Sequence, residues 1–293
     1  MSIPRRITGR SPDLVYRADA WPLYESGKLC HAEWVSATLA FQSGLFRRSA
    51  VSRATPMTNP TFSDQAQQFI DSVLGLEPRF AAFDCDGTLW PGDAGEGFFR
   101  WGFEHRLVSD EVIRRERARY AEYLAGKVSE DAMCGAMATL HQGLMEADVR
   151  HAAAEYFEQK IAPQIFPEMR ETVRRLLDAG CEVWVVSSTS EWVIQVAMQL
   201  FGIPENRILA AAVRADQGRI TGELTRLPSG PGKARAIREV VGKDPDAAFG
   251  NSRWDADMLA IARHPFAVNP SPELERLARE RGWPLYWPDS VRR

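Results

Sequence analysis

The fold of this chain is decided by the stretch Arg79-Phe80-Ala81-Ala82-Phe83-Asp84-Cys85-Asp86-Gly87-Thr88-Leu89. Its first half is apolar and rich in Phe and Ala, which predicts a buried strand that ends before the glycine. Side chains alternate between the two faces of a strand, so Asp84 and Asp86 point the same way at its mouth. Such a pair can divide catalytic labour, because one carboxylate can attack or bind a cation while the other moves a proton. The plainer alternative is a turn with two solvated aspartates.

Three further polar positions follow in order along the chain. The apolar run from Cys181 to Val186 predicts a second strand with Ser187 at its tip. Lys233 follows a glycine-rich turn at a helix start, and Asn251 and Asp255 follow the short apolar run 247–250. Strands that alternate with helices predict parallel pairing, with ligand binding at the carboxyl ends of the strands. All four positions lie at such ends.

The run Asp84-Cys85-Asp86-Gly87-Thr88-Leu89 matches in full the D-x-D-G-T-[LV] signature of the haloacid dehalogenase superfamily. With the three later positions, the chain resembles the phosphoserine phosphatase-like branch of that family across residues 80–260. The resemblance implies an α/β fold with a Rossmann-like parallel sheet flanked by helices. It also implies a Mg²⁺-dependent phosphatase that acts on a small phosphomonoester.

By this resemblance, Asp84 is the nucleophile that forms an aspartyl-phosphate, and Asp86 is the general acid and base. Mg²⁺ would be held by the Asp84 carboxylate, the Asp86 main-chain carbonyl and the residue at position 251. Mg²⁺ prefers oxygen ligands, which agrees with such a set.

The phosphate group would be bound by Ser187 and Lys233, with Thr88 beside them fixing Asp86. Asp255 would support the site by holding Lys233 or a metal-bound water. Two alternatives stay open, since Ser188 could replace Ser187 and the lysine could simply begin a surface helix. A nucleotide-binding G-x-x-x-x-G-K-[ST] loop is excluded, because an alanine follows Lys233 where the pattern requires Ser or Thr.

Asn251 departs from the family pattern, which has an acid at this position. An amide oxygen can still bind Mg²⁺, but the site loses one negative charge. Weaker metal binding follows, or a preference for a more tightly held divalent ion. The alternative function is therefore a non-catalytic or weakly active member of the fold that binds phosphorylated ligands.

Four helical patterns lie between the first two strands and predict a helical cap inserted after the first strand. They cover residues 95–106, 110–125, 130–142 and 147–160, and Ser109 and Ser129 are the predicted N-caps of the middle two. The predicted core comprises residues 61–92 and 164–293, and the predicted cap comprises residues 93–163.

The substrate is expected to be a small phosphorylated metabolite that can carry an amine. Glu96, just past the catalytic loop, could bind that ammonium group. Trp90, Trp101 and Trp192 could instead form an aromatic cage for a quaternary ammonium ion. The plainer alternative is that the aromatic residues of the first cap helix are part of the hydrophobic core.

Composition narrows the other possibilities. A net charge of −3 argues against a general nucleic-acid binder, and no apolar run approaches the length of a membrane span. Four dispersed cysteines without metal-binding spacing favour a reducing cytoplasm. Residues 1–56 carry eight Lys and Arg against four Asp and Glu. We expect residues 1–60 to be a poorly ordered extension, either a basic targeting arm or untranslated sequence upstream of a start at Met57.

Overall fold

The computed structural model describes residues 61–291, so the prediction for residues 1–60 lies outside the described part of the chain. A seven-stranded sheet runs through these residues in the order β4-β3-β2-β1-β5-β6-β7. The strands are β1 (Phe80–Phe83), β2 (Glu182–Ser190), β3 (Ile208–Asp216), β4 (Arg219–Arg226), β5 (Ala247–Gly250), β6 (His264–Val268) and β7 (Leu285–Tyr286). The predicted α/β fold with a Rossmann-like sheet is confirmed.

Ten α-helices accompany the sheet within residues 61–291. They are α1 (Asp64–Leu74), α2 (Ala94–Glu104), α3 (Asp110–Leu124), α4 (Glu130–Thr139), α5 (Glu146–Tyr156), α6 (Pro167–Asp178), α7 (Glu191–Phe201), α8 (Pro231–Val240), α9 (Ala256–Ile261) and α10 (Pro272–Arg281). A π-helical turn (Phe157–Ile161) and a 3₁₀ turn (Ala162–Gln164) connect α5 to α6. None of the helices in this part of the chain is both long and apolar enough to cross a membrane.

Strand β1 occupies the centre of the sheet because its four residues are all buried. It pairs in parallel with β2 on one side and β5 on the other, with Phe83 opposite both Val185 and Phe249. This register brings Ser187 of β2 and the residues that follow β1 and β5 to the same edge of the sheet. Lys233 of α8 joins them there through its hydrogen bonds to Asp84 and Asp255.

One edge of the sheet differs from the parallel arrangement that the sequence predicts. Strands β3 and β4 form an antiparallel hairpin, closed by Gln217 and Gly218 with φ angles of 47° and 75°. A connection of two residues leaves no room for the crossover that a parallel pair requires. The sheet is therefore mostly parallel, with one antiparallel edge strand.

Four helices, α2 to α5, lie between β1 and α6, where the sequence predicts them. Ser109 Oγ accepts a hydrogen bond from the Val112 N–H at 3.4 Å, and Ser129 Oγ accepts one from the Ala132 N–H at 3.3 Å. Both predicted N-caps are thus confirmed. Helix α4 contacts strands β2 and β3, and α2 contacts β2. The helical insertion is therefore packed over the end of the sheet.

A stack of three aromatic rings lies directly below the polar edge of the sheet. Phe83 and Phe249 stack with ring centroids 4.1 Å apart, and Phe249 and Phe266 stack at 4.9 Å. All three residues are buried, and they belong to β1, β5 and β6. The three strands are thereby joined by side-chain packing as well as by their hydrogen bonds.

Helix α10 and strand β7 are not predicted from the sequence. The Tyr286 hydroxyl donates to Glu168 Oε1 at 3.1 Å, and the Asp289 N–H donates to the same oxygen at 2.6 Å. Glu168 is buried in the first turn of α6. The final segment of the described chain is therefore held against the core by one buried carboxylate.

Candidate active site

Asp84 immediately follows β1 and is almost fully buried. Its main-chain N–H donates to the Phe249 carbonyl at 2.9 Å, which extends the β1–β5 pairing by one residue. Its Oδ2 atom accepts a hydrogen bond from Thr88 Oγ1 at 2.8 Å, and its Oδ1 atom accepts one from Lys233 Nζ at 2.7 Å. The predicted nucleophile is therefore held in one orientation by two donors.

Lys233 lies in the first turn of α8 and is buried. Its ammonium group also donates to Asp255 Oδ1 at 2.6 Å, so it bridges two carboxylates. Asp255 Oδ2 in turn accepts from the main-chain N–H groups of Asn251 and Ser252 at 3.0 and 2.9 Å. Asp255 thus contacts Lys233, as one of its two predicted roles requires, and its function in the site stays a prediction.

Opposing effects act on the pKa of Asp84. Burial and, next, the nearby Asp255 carboxylate raise the pKa of the Asp84 carboxyl to about 7, although Lys233 lowers it. One ammonium group thus serves two buried carboxylates. With both carboxylates ionised, the cluster of Asp84, Lys233 and Asp255 has a net negative charge, which favours the binding of a cation.

Asp86 is held by three hydrogen-bond donors. Its Oδ1 atom accepts from Trp90 Nε1 at 2.8 Å and from the Ala94 N–H at 2.7 Å, and its Oδ2 atom accepts from Thr189 Oγ1 at 2.6 Å. Burial and the Asp93 carboxylate raise the pKa of Asp86 to about 6, although the three donors lower it. A carboxyl group with a pKa near neutrality is suited to exchange a proton with a substrate.

One predicted contact, between Thr88 and Asp86, is corrected by this geometry. Thr88 bonds to Asp84 and not to Asp86, because its side chain follows the turn back towards the end of β1. Asp86 is fixed instead by Trp90 and Thr189, whose contacts the sequence analysis missed. The run of four hydroxyl residues at the end of β2 was the available signal for Thr189, but sequence alone did not distinguish its members.

Ser187 lies on β2 and is buried at the level of the residues that follow β1. Its Oγ atom accepts a hydrogen bond from the Thr189 N–H at 3.1 Å. Strand β2 extends to Ser190, three residues beyond its predicted end. Ser187 retains a hydroxyl proton that can be donated, and its role as a phosphate ligand stays a prediction.

Asn251 directly contacts the catalytic loop. A Cβ atom placed on Gly87 would lie 1.7 Å from Asn251 Nδ2, so only glycine leaves space for this amide. Gly87 also has a φ of 76°, a conformation that side chains other than glycine rarely adopt. On the same loop, Asn269 Nδ2 donates to the Gly87 carbonyl at 3.1 Å. The departure from the family pattern at position 251 therefore lies at the site itself.

The residues present fit a divalent cation. Among residues 61–291 there is no cluster of three or more His, Cys, Asp and Glu side chains that could hold a metal ion. The Asp84 carboxylate, the Asp86 carbonyl and the Asn251 amide are nevertheless oxygen donors on one loop and its neighbour, and Mg²⁺ prefers such donors. The excess negative charge around Lys233 favours a cation as well.

The predicted substrate residues have other partners. Glu96 pairs with Arg100, one helical turn further along α2, through an Nε–Oε1 hydrogen bond of 2.8 Å. Trp90, Trp101 and Trp192 are buried in the hydrophobic core, and Trp90 also bonds to Asp86. An aromatic cage of these three residues is therefore not formed, and the plainer alternative is confirmed.

Several known proteins are similar to this chain in sequence or in fold. A histidinol-phosphatase of Neisseria meningitidis serogroup C (strain 8013) is 28% identical over 71% of this chain and 97% of its own length. A phosphoserine phosphatase of Mycobacterium tuberculosis (strain ATCC 25618 / H37Rv) is 29% identical over 70% of this chain and 69% of its own length. A crystal structure of a protein of unknown function from Bordetella pertussis Tohama I shares the fold, with a TM-score of 0.61 and 23% identity over 71% of this chain and 97% of that one.

The family model of haloacid dehalogenase-like hydrolases matches residues 81–260, which include every residue of the Asp84–Lys233–Asp255 cluster. The matched region begins in β1 and ends in α9, so it also contains the helical insertion. The chain therefore belongs to the haloacid dehalogenase-like hydrolase family.

Proposed function

We propose that this protein is a Mg²⁺-dependent phosphatase that hydrolyses a small phosphomonoester. The observation that carries the proposal is the placement of two carboxylates with different partners at one edge of the sheet. Asp84 faces the Lys233 ammonium group, whereas Asp86 faces neutral donors. The similarity to a histidinol-phosphatase and a phosphoserine phosphatase supports the reaction class.

In the first step, Asp84 attacks the phosphorus atom and forms an aspartyl-phosphate. The bond from phosphorus to the leaving oxygen breaks, and Asp86 gives its proton to that oxygen. In the second step, Asp86 takes a proton from water, which attacks the phosphorus atom and releases orthophosphate. Lys233 keeps Asp84 ionised for attack, and it neutralises charge on the phosphoryl group together with Ser187.

Mg²⁺ would be held by the Asp84 carboxylate, the Asp86 main-chain carbonyl and Asn251. When bound, it supplies positive charge that stabilises the phosphoryl oxygens. Because Asn251 is neutral, this set carries one negative charge fewer than a set with an acid at that position. We therefore expect a lower affinity for Mg²⁺, whereas the nucleophile Asp84 is unchanged.

Residues 93–163 act as a cap in this proposal, and residues 61–92 and 164–293 form the catalytic core. The start of α2 directly follows the loop of Asp86, and α4 contacts the strands next to Ser187. The cap would therefore exclude water from the site and contact the leaving group.

Cys85, Cys134 and Cys181 are free thiols, which supports a reducing cytoplasm as the location.

The proposal is tested by assaying the full chain on a panel of small phosphomonoesters with Mg²⁺, beside Asp84→Asn. We expect turnover by the wild type and loss of at least a thousandfold in the variant, which keeps the shape of the residue but not the nucleophile. Binding of phosphate esters without turnover would instead identify a phospho-ligand-binding protein. Equal activity of Asp84→Asn and wild type would rule out the proposed nucleophile.

A further inference from the structure

The helical insertion adds a short strand to the edge of the sheet. Residues 143–146, which lead from α4 into α5, run antiparallel to residues 218–220 at the start of β4, and we call these two segments the seam. Three main-chain hydrogen bonds join them: the Gly143 N–H to the Ile220 carbonyl at 2.8 Å, the Ile220 N–H to the Leu144 carbonyl at 2.9 Å and the Glu146 N–H to the Gly218 carbonyl at 2.8 Å. The insertion therefore covers the edge that β4 would otherwise leave unpaired.

Side chains also connect the insertion to the hairpin. The Arg219 guanidinium donates to the Gly143 carbonyl. A Cβ atom on Gly222 would lie 2.9 Å from Gln142 Oε1, so the hairpin and the insertion are in close contact here. The seam is thus an attachment that does not depend on the two chain connections of the insertion.

Those two chain connections lie together at another place. The Phe166 N–H, just before α6, donates to the Leu89 carbonyl, just after the catalytic loop, at 2.9 Å. Trp90 packs edge-on against Phe157, with ring centroids 6.2 Å apart. Strand β1 is three positions from β4 in the sheet, or roughly 14 Å at the usual strand spacing. The insertion is held at two separate places, and the rigid-body motion left to it is a tilt about the line that joins them.

A leaving group needs more space beside Asp86 than the structure provides. The cavity between α4 and the end of β2 has a volume of about 20 Å³, the space of a single water molecule. Thr189, which bonds to Asp86, lines it on the sheet side, and Cys134 and Met137 line it on the side of α4. An alcohol is larger than this space, so the cavity has to widen when the substrate binds.

We propose that the seam stays closed throughout turnover and that the insertion tilts on it to widen the cavity. The proposal rests on the phosphatase function proposed above. Opening the seam would break three main-chain hydrogen bonds at once, whereas no main-chain hydrogen bond of the described residues joins α4 to β2. The antiparallel hairpin thereby has a role of its own, because it carries the outer support of the insertion.

The first test is a disulfide across the seam. Met145 lies opposite Arg219, between two of the main-chain hydrogen bonds. The Cα atoms of such an antiparallel pair are about 4.5 Å apart, within the range of a disulfide. The full chain with Met145→Cys and Arg219→Cys is oxidised with diamide, and the loss of two thiols shows the bond. We expect kcat/KM on p-nitrophenyl phosphate with Mg²⁺ to stay within twofold of the dithiothreitol-reduced protein.

The matched disulfide spans the cavity. Ser188 lines the sheet side, and Cys134 lines the side of the insertion. Burial raises the pKa of the Cys134 thiol, and a hydrogen bond with Ser188 opposes this effect, so the two side chains are in contact. Ser188→Cys therefore places a partner beside the native thiol. We expect oxidation of this variant to lower kcat/KM about tenfold or more and reduction to restore it, with oxidised wild type as the control for the native cysteines.

Either disulfide can overturn the inference. Reversible loss of activity in the oxidised seam variant would show that the seam opens during turnover. Full activity of oxidised Ser188→Cys would show that the cavity does not widen. If Asp84 is not needed for hydrolysis by the wild type, the phosphatase function itself fails.

The rate of disulfide formation gives a readout that does not depend on turnover. Both cysteine pairs are combined with Asp84→Asn and oxidised with and without p-nitrophenyl phosphate. We expect the bound ester to slow oxidation of the cavity pair severalfold and to leave the rate of the seam pair unchanged. Equal effects on the two pairs would overturn the proposal.

Discussion

The Thr189 hydroxyl donates a hydrogen bond of 2.6 Å to Asp86 Oδ2. The other oxygen of Asp86 is occupied by the Trp90 indole N–H and the Ala94 N–H, which can only donate. A hydroxyl group can both donate and accept. Asp86 therefore keeps its contact to Thr189 in either protonation state, and the proton of its acid form resides on Oδ2.

The substitution Thr189→Val should shift the pH profile of the reaction. It removes a donor that favours the ionised form of Asp86, so the pKa of this carboxyl rises above about 6. The basic limb of kcat/KM should then move to higher pH, and kcat should fall roughly tenfold because Asp86 is less well positioned. Thr189→Ser keeps the hydroxyl and should retain the wild-type profile. Identical profiles for Val and Ser would show that the contact does not tune Asp86.

The substitution Asn251→Asp should lower the Mg²⁺ concentration that gives half-maximal activity. It restores a negative charge beside the Gly87 loop, and desolvation offsets part of the gain, so we expect about 1–2 kcal/mol at most. Asn269→Asp is the matched control, because this residue touches the same loop through a main-chain carbonyl. Only Asn251→Asp should lower the Mg²⁺ concentration that gives half-maximal activity. A Mg²⁺ requirement unchanged by Asn251→Asp would remove residue 251 from the metal site.

Gly87→Ala should be more destabilising than the same change at Gly126. Both glycines have positive φ angles, 76° and 71°, so alanine costs about 1–2 kcal/mol at either position. At Gly87 the added Cβ also overlaps the Asn251 amide, whereas nothing lies within 4 Å at Gly126. We expect an additional loss of about 1 kcal/mol or more in the free energy of unfolding, measured with urea. Equal losses at the two positions would mean that Asn251 moves aside freely.

Lys233→Met should be far more destabilising than Asp84→Asn. The first change leaves two buried carboxylates without their counter-ion, at a cost of about 3–5 kcal/mol. The second leaves the Lys233–Asp255 pair intact and removes a charge that burial disfavours, so stability should change little. Urea unfolding of both variants at pH 7.5 measures the difference. A Lys233→Met protein as stable as wild type would contradict the bridging role of the lysine.

His141 should make the fold sensitive to acid. The residue is buried between Phe98 and Trp192, and neither ring nitrogen has a partner among the described residues. Burial lowers the pKa of His141 to about 4, below the ordinary value of 6.5, so the native state holds the imidazole neutral. The unfolded chain binds the extra proton as the pH falls from 6.5 to 4, and stability is lost over that window, by about 3 kcal/mol at its lower end.

The substitution His141→Leu removes this titration and fills a similar volume. We expect the free energy of unfolding of the variant to fall less steeply between pH 6.5 and pH 4 than that of the wild type. At pH 7.5 the variant should be at least as stable, because no unpaired nitrogen is buried. Parallel pH dependences would show that His141 is solvated in the native state.

Much of the fold was predictable, because its signals are local. The apolar run before Asp84 predicts the first strand. The spacing of Ser187, Lys233 and Asp255 predicts, along the chain, the later elements that form the polar edge. The β3–β4 hairpin was not identified as antiparallel, although its two-residue turn contained the information. Strand β7 has two residues, too few for any periodicity. Its position depends on Glu168, a contact distant in sequence.

The sequence indicated the charged residues of the site and the neutral Ser187 and Asn251, but not the two side chains that hold Asp86. Lys233 and Asp255 were found because their spacing matches a known pattern. Thr189 was missed since its role depends on the extension of β2 by three residues, which redirects the side chain towards Asp86. Glu96 was chosen by its nearness to the loop, but its partner Arg100 lies one helical turn along the same helix. Pairing within a helix competes with binding, and sequence alone does not decide which prevails.

The stacked rings of Phe83, Phe249 and Phe266 have a consequence for hydrogen exchange. They join β1, β5 and β6 into one unit, and opening any of these strands would separate rings that lie 4.1 and 4.9 Å apart. The amide protons of the three strands should therefore exchange with deuterium only when the whole domain unfolds. Asp84 and Asn251 immediately follow two of these strands, so we expect their main-chain amides to exchange slowly as well. The amides of the helical insertion can exchange through local opening.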